Sequence, residues 1–217
     1  SGVSVAVNYA VAAVGTETSG SILSPSGKNS VVGLKPTIGL LSRTGIVPIS
    51  STLDTPGPMT KFVIDNAIFL NAMLGKDIND DKSVEININY VNDLKKYSIK
   101  GKRFGVLKDL MTDSLYSRSV SILKNNGAEI VRINPEKVPL NGFLTLLNID
   151  MKNDLPIYLK NDAGNEVKLK TVNDIVAFNT LDSLGRMPYN QELFDGILKD
   201  STTLSDLEVI KNNLENL

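Results

Sequence analysis

The sequence predicts an α/β protein with a helical section towards its C-terminal end, on three observations. Residues 104–107 (Phe-Gly-Val-Leu) and 128–133 (Ala-Glu-Ile-Val-Arg-Ile) are short apolar runs flanking a helical pattern at about 115–125. That order of strand, helix and strand suggests an α/β layer with a largely parallel sheet. Two more short apolar runs lie earlier, near 11–14 and at 31–34, and from Asn141 onward the pattern is helical almost throughout.

Each element has a local reason. A helix of small residues occupies about the first ten positions, followed by a buried strand near 11–14. Val31-Val32-Gly33-Leu34, ending at Lys35-Pro36, is a second buried strand. A helix over 60–74 follows: Thr60 can cap it, Asp65 sits near its positive end, and Gly75 stops it. It is apolar almost all round, which predicts burial on more than one side. Asn126-Gly127 ends the helix at 115–125. The later helices fall at roughly 142–160, 171–182, 190–198 and 204–217. The expected organisation is a signature core over 1–77, a polar surface loop over 78–100, and an α/β and helical section over 101–217.

Composition narrows the chemistry. The chain has 217 residues, 41% of them hydrophobic, and a formal net charge of −1. Near-zero charge gives no electrostatic footprint for nucleic acid, and no apolar run is long enough to span a bilayer. There is no Cys and no His. A site built from this chain alone therefore has no thiol nucleophile, no Ser-His-Asp triad and no His- or Cys-ligated metal. A serine that attacks anything here must lose its proton to a Lys, another hydroxyl, a carboxylate or water. The chain opens at Ser1-Gly2 without Met and closes inside an amphipathic helix, so it is expected to be a processed or truncated piece.

The densest candidate site is Gly15-Thr16-Glu17-Thr18-Ser19-Gly20-Ser21-Ile22, directly after an apolar strand. Small residues allow a tight turn whose consecutive amides can form an anion-binding nest. A serine at its end would lie beside donors able to stabilise a tetrahedral oxyanion. A plain loop is the competing reading. Phosphate cradling is another, although the glycine spacing matches neither the P-loop nor the dinucleotide fingerprint.

This run, with Pro25, Val31-Val32-Gly33-Leu34-Lys35-Pro36-Thr37, Gly39, Ser42, Gly45-Ile46-Val47-Pro48, Leu53-Asp54-Thr55-Pro56-Gly57-Pro58-Met59, and the stretch from Asp65 and Ala67 to Gly75-Lys76-Asp77, resembles the amidase signature family. The likeness is close over the first third and looser beyond residue 80, towards stand-alone bacterial amidases. It implies an α/β/α fold with a central mixed sheet, here incomplete at both ends, and a Ser–Ser–Lys triad. It implies Ser21 as nucleophile and the backbone N–H groups of Thr18, Ser19 and Gly20 as oxyanion hole. The family's bridging serine, on a cis peptide bond, and its lysine lie upstream of Ser1, so the chain as given is expected to be catalytically incomplete. Ser1 and Ser4 are weak candidates for the bridging serine.

Other residues divide between functional and plain readings. Lys35 follows the nucleophile and reads as support for the core rather than as the base. Asp54 reads as orienting the Asp-Thr-Pro-Gly-Pro turn, and Asp80-Asp81 as a solvated loop. Leu23 stands where the tRNA-linked amidotransferase branch has Arg. Met187-Pro188-Tyr189 and Phe143 suit either a substrate pocket or helix packing. The expected function is hydrolysis of a carboxylic amide C–N bond by a cytoplasmic enzyme. Its expected partner is a small-molecule amide substrate, with no metal, no organic cofactor, no nucleic acid and no membrane. The alternatives are the transamidation subunit of a glutamine amidotransferase and a non-catalytic scaffold.

Overall fold

The structure, a computed structural model, describes residues 1–135 and 139–215. Its contacts gather into two units, Ser1–Val91 with Leu140–Leu217, and Asn92–Pro139.

The first unit begins with α1 (Gly2–Ala6), β1 (Ala12–Glu17), α2 (Leu23–Lys28), a two-residue β2 (Val32–Gly33) and β3 (Thr55–Thr60). β3 is the middle strand of three, antiparallel to both neighbours, and all six of its residues are buried. By sequence this segment reads as a turn, because Pro56 and Pro58 cannot donate to a ladder. The strand survives because its carbonyls still work. Pro58 O accepts from Leu34 N at 3.1 Å and from Asn66 Nδ2 at 3.0 Å. Gly57 faces Gly15 across the ladder, and a Cβ on Gly57 would strike the Leu34 carbonyl, so close backbone approach requires glycine there.

The expected buried strand near 11–14 lies slightly later and faces differently. Val11 and Val14 are exposed, while Gly15 and Glu17 point inwards, as the two-residue period of β1 dictates. The core under β1 is Val5, Ile22, Val31 and Met59, with Ala6 and Ala13 packed against it.

The helix α3 (Val63–Met73) starts later than expected because Thr60 completes β3. Thr60 Oγ1 donates to Phe62 O at 2.9 Å instead of capping the helix. Burial is one-sided: Asn66, Ala67 and Leu70 face inwards, whereas Ile64 and Ile68 are exposed. Leu70 joins Leu40 and Leu41 in a second cluster. The segment expected as a surface loop over 78–100 carries α4 (Tyr90–Lys96), and it buries Asp80 and Ser83. Asp80 is no solvated loop residue. Its carboxylate accepts from Arg43 N at 2.8 Å and Nε at 2.9 Å, and pairs with Arg43 Nη2.

In the second unit β4 (Arg103–Leu107) and β5 (Glu129–Ile133) pair in parallel, joined through a 3-10 turn (Asp109–Thr112) and α5 (Ser114–Asn125). Asp113 caps α5 by accepting from Tyr116 N at 2.8 Å, and Gly127, at φ +87°, turns the chain after it. Among the described residues, parallel pairing is found in this sheet alone, and the three-stranded sheet is antiparallel.

The first unit resumes with α6 (Phe143–Asn161), α7 (Val172–Thr180), α8 (Ser183–Arg186), α9 (Glu192–Lys199) and α10 (Leu204–Glu215). Thr171 and Asp174 form a capping box that starts α7. One side of α6 places Leu155 and Leu159 with Val172 and Ile197, and its earlier turns place Leu146 and Ile149 with Leu207. The last helix is expected to run to 217; positions 216 and 217 lie outside the described residues. Among the described residues no helix is long and apolar enough to cross a membrane.

Candidate active site

β1 delivers the chain to Glu17, and the next four residues turn sharply before α2. Gly20, at φ +89°, occupies the left-handed region that glycine tolerates best. Ser21 follows, exposed, and Ile22 after it is wholly buried in the core cluster. The turn is thus pinned immediately beyond Ser21 by an apolar anchor.

It is pinned a second time by charge. Glu17 is only 3% exposed, and its Oε2 accepts from Ile22 N at 2.7 Å and Leu23 N at 2.9 Å. Burial opposes its ionisation, but the amides of Leu23, Gly20 and Ile22, together with the Lys35 ammonium, outweigh burial and hold its pKa below the ordinary glutamate value. Lys35 Nζ lies 3.8 Å from Glu17 Oε1 and donates to Thr18 O at 3.0 Å. A planar trans peptide puts C=O and N–H on opposite sides. With the Thr18 carbonyl on Lys35, the Ser19 N–H therefore points the other way. The Gly20 N–H faces the Glu17 carboxylate.

Thr18 is held by its side chain too. Its hydroxyl donates to Asp54 Oδ1. Asp54 Oδ2 accepts from Ile49 N at 2.8 Å and Ser50 N at 2.9 Å. The Asp-Thr-Pro-Gly-Pro stretch expected as a turn is strand β3, so Asp54 orients the turn before it instead, and it also reaches the Ser21 loop. Beside Asp54 opens a cavity of about 320 Å³, lined also by Arg43, Asp80, Asp154 and Tyr158.

The other predicted residues fall as follows. Ser1 Oγ donates to Val14 O and Ser4 Oγ to Ser1 O, each at 2.8 Å, so both hydroxyls serve the backbone. Leu23 is exposed at the start of α2, and Tyr189 is almost wholly exposed. Phe143 lines an apolar cavity with Leu140, Leu146 and Leu214. Among the described residues no group of three or more acidic side chains is placed to hold a metal ion.

Three contributors are not evident from the sequence: Glu17 as the clamp of the turn, Ser50, and Asp150 on α6. The last leaves a trace, since Asp150 stands between Ile149 and Met151 where α6 turns inwards, and it is 4% exposed.

An α/β scaffold presenting a serine on a clamped Gly/Ser/Thr turn defines a class that comparison identifies. The sequence model of the Amidase family matches residues 1–201, and the chain belongs to that family. An amidase family protein from Bacillus anthracis str. Ames is similar in structure, with a TM-score of 0.89 at 33% identity, over 98% of this chain and 44% of that one. The peptide amidase from Stenotrophomonas maltophilia gives 0.83 at 36% identity, over 95% and 44%. A glutamyl-tRNA(Gln) amidotransferase subunit from Roseobacter denitrificans is 35% identical over 178 residues, 78% of this chain and 36% of that protein. The chain spans less than half the length of each of these relatives.

Proposed function

We propose that the protein hydrolyses carboxylic amides, with Ser21 as the nucleophile. The observation that carries this reading is the clamp around Ser21: Glu17 accepts from the two amides that follow it, and Ile22 locks it to the core. Ser21 Oγ forms a bond to the amide carbonyl carbon while its proton passes to a lysine through a bridging serine, the triad that the resemblance implies. The backbone N–H groups of Thr18, Ser19 and Gly20 receive the developing oxyanion, the Gly20 N–H being shared with Glu17. Collapse expels the amine, which takes up the proton, and water then releases the acid from the acyl-enzyme. The reading carries over the expectation of a cytoplasmic enzyme without metal or organic cofactor, acting on a small-molecule amide.

A second reading, the transamidation subunit of a glutamine amidotransferase, draws on the likeness to the Roseobacter denitrificans protein. Leu23, where that branch is expected to carry Arg, weighs against it. The test is hydrolysis of a panel of simple and peptide amides by the intact protein without added subunits. Release of ammonia or amine that Ser21→Ala abolishes supports the amidase. Glutamine-dependent activity that appears only with partner subunits supports the second reading instead.

A further inference from the structure

A chain of buried polar groups runs from the Ser21 turn to the helical section of the same unit. Thr18 donates to Asp54, and Asp54 takes the amides of Ile49 and Ser50. Ser50 Oγ then donates to Asp150 Oδ2 at 2.5 Å, across 100 residues of sequence. Asp150 Oδ1 faces Lys211 Nζ of α10 at 3.5 Å. Thr18, Asp54, Ser50 and Asp150 are each no more than 8% exposed. One helical turn further along α6, Asp154 Oδ2 accepts from Ser51 N at 2.7 Å, so two carboxylates of α6 grip consecutive residues of the 49–54 segment.

We infer that Asp54 and Asp150 are positioning residues for acyl transfer: Asp54 holds Thr18, and Asp150 holds Asp54 through Ser50. The inference rests on the reading of Ser21 as nucleophile. Within the turn, Ser19 and Ser21 are exposed and Gly20 has no side chain, so Thr18 carries the only buried anchor between Glu17 and Ile22. Its carbonyl is taken by Lys35 and its hydroxyl by Asp54, which fixes the Thr18–Ser19 peptide from two directions. That peptide supplies the Ser19 N–H, one of the donors assigned to the oxyanion. A donor displaced by a fraction of an ångström stabilises the tetrahedral state poorly while leaving ground-state binding nearly intact. The substitutions should therefore appear in turnover rather than in KM. Ser50, which contributes one of the two amides that Asp54 Oδ2 accepts, is itself tied to Asp150 through its hydroxyl.

The test uses the intact protein and measures both the rate of labelling by a fluorophosphonate and steady-state kcat and KM on a hydrolysed amide. Asp54→Asn and Thr18→Val are each expected to lower kcat and labelling rate about 10- to 100-fold, with KM within about twofold. The double variant should be no slower than the slower single, because both remove one interaction. Asp150→Asn and Ser50→Ala should each slow labelling about 3- to 10-fold and likewise fail to add. Thr18→Ser, which keeps the hydroxyl that Asp54 accepts, should recover most of the labelling rate lost in Thr18→Val. Parent rates in folded Asp54→Asn and Thr18→Val, or losses that multiply in the doubles, overturn the inference. Ser21→Ala separates the two levels. Labelling that survives it overturns the nucleophile reading, and this inference with it. Labelling lost in Ser21→Ala but unchanged in Asp54→Asn overturns the inference alone.

Discussion

Glu17 Oε2 accepts the Ile22 N–H at 2.7 Å, joining the last residue of β1 to the residue just after Ser21. A hydrogen bond to a buried carboxylate contributes more than a neutral one, and this carboxylate oxygen takes the backbone amides of both Ile22 and Leu23. Glu17→Gln removes the charge and one acceptor at nearly constant volume. It should cost about 2 kcal/mol of stability, read as a lower denaturation midpoint at unchanged m. Turnover should fall as well, because the same bonds set the path of the chain through Ser21.

Gly57 is tested by one methyl group. Its Cβ would meet the Leu34 carbonyl, the Ile22 side chain and the Pro36 ring at once, all of them beside the buried sheet. Backbone cannot move aside there without breaking the β1–β3 ladder opposite Gly15. Gly57→Ala is expected to destabilise by about 3 kcal/mol or more, measured by thermal unfolding. An unchanged Tm would show that the strands are not this close.

Acid should release Asp80. Hydrogen bonding from the Arg43 side chain, against the cost of burial, lowers the Asp80 pKa from 3.8 to about 2. A carboxylate whose folded pKa is depressed adds stability above its unfolded pKa and loses it as pH falls through the folded value. The contribution is about 2 kcal/mol at neutral pH and disappears between about pH 4 and pH 2. Asp80→Asn should be less stable at pH 7 and should converge with the parent towards pH 2, as followed by urea unfolding at each pH.

Asp154 should behave in the opposite sense. Burial raises its pKa, the amide and hydroxyl of Ser51 lower it, and the carboxylates of Asp150 and Asp54 raise it further. Its ionisation therefore opposes folding, so its stabilising effect is present below the unfolded pKa and lost as pH rises through the folded one. Asp154→Asn keeps an acceptor for Ser51 N and sheds the charge. The variant should be more stable than the parent at pH 7, with the gain vanishing in acid. A lower Tm at pH 7 would contradict this.

Local order is legible in the sequence where its cause is local. The β4–α5–β5 unit follows from apolar runs, the helical pattern between them and the Asn126-Gly127 stop, all within reach of one another. The Ser21 turn stands out by its composition and resemblance. The rest depends on partners far along the chain. Asp80 reads as solvated because Arg43, 37 residues earlier, gives no sign of reaching it. Thr18 and Asp54 are 36 residues apart, and Ser50 and Asp150 are 100. β3 is hidden for another reason. Two prolines contradict a central strand by rule, and the rule yields here to the six-residue pairing with β1 and to the carbonyl bonds from Leu34 and Asn66, neither evident in the sequence.

The central claim is that Ser21 is the nucleophile, and the most direct measurement is peptide mapping of the adduct formed by a fluorophosphonate on the intact protein. The account predicts one added phosphonyl group, carried by Ser21 in the fragment that holds Gly15-Thr16-Glu17-Thr18-Ser19-Gly20-Ser21, and no adduct after Ser21→Ala. An adduct on another residue, or one that persists in Ser21→Ala, would contradict it.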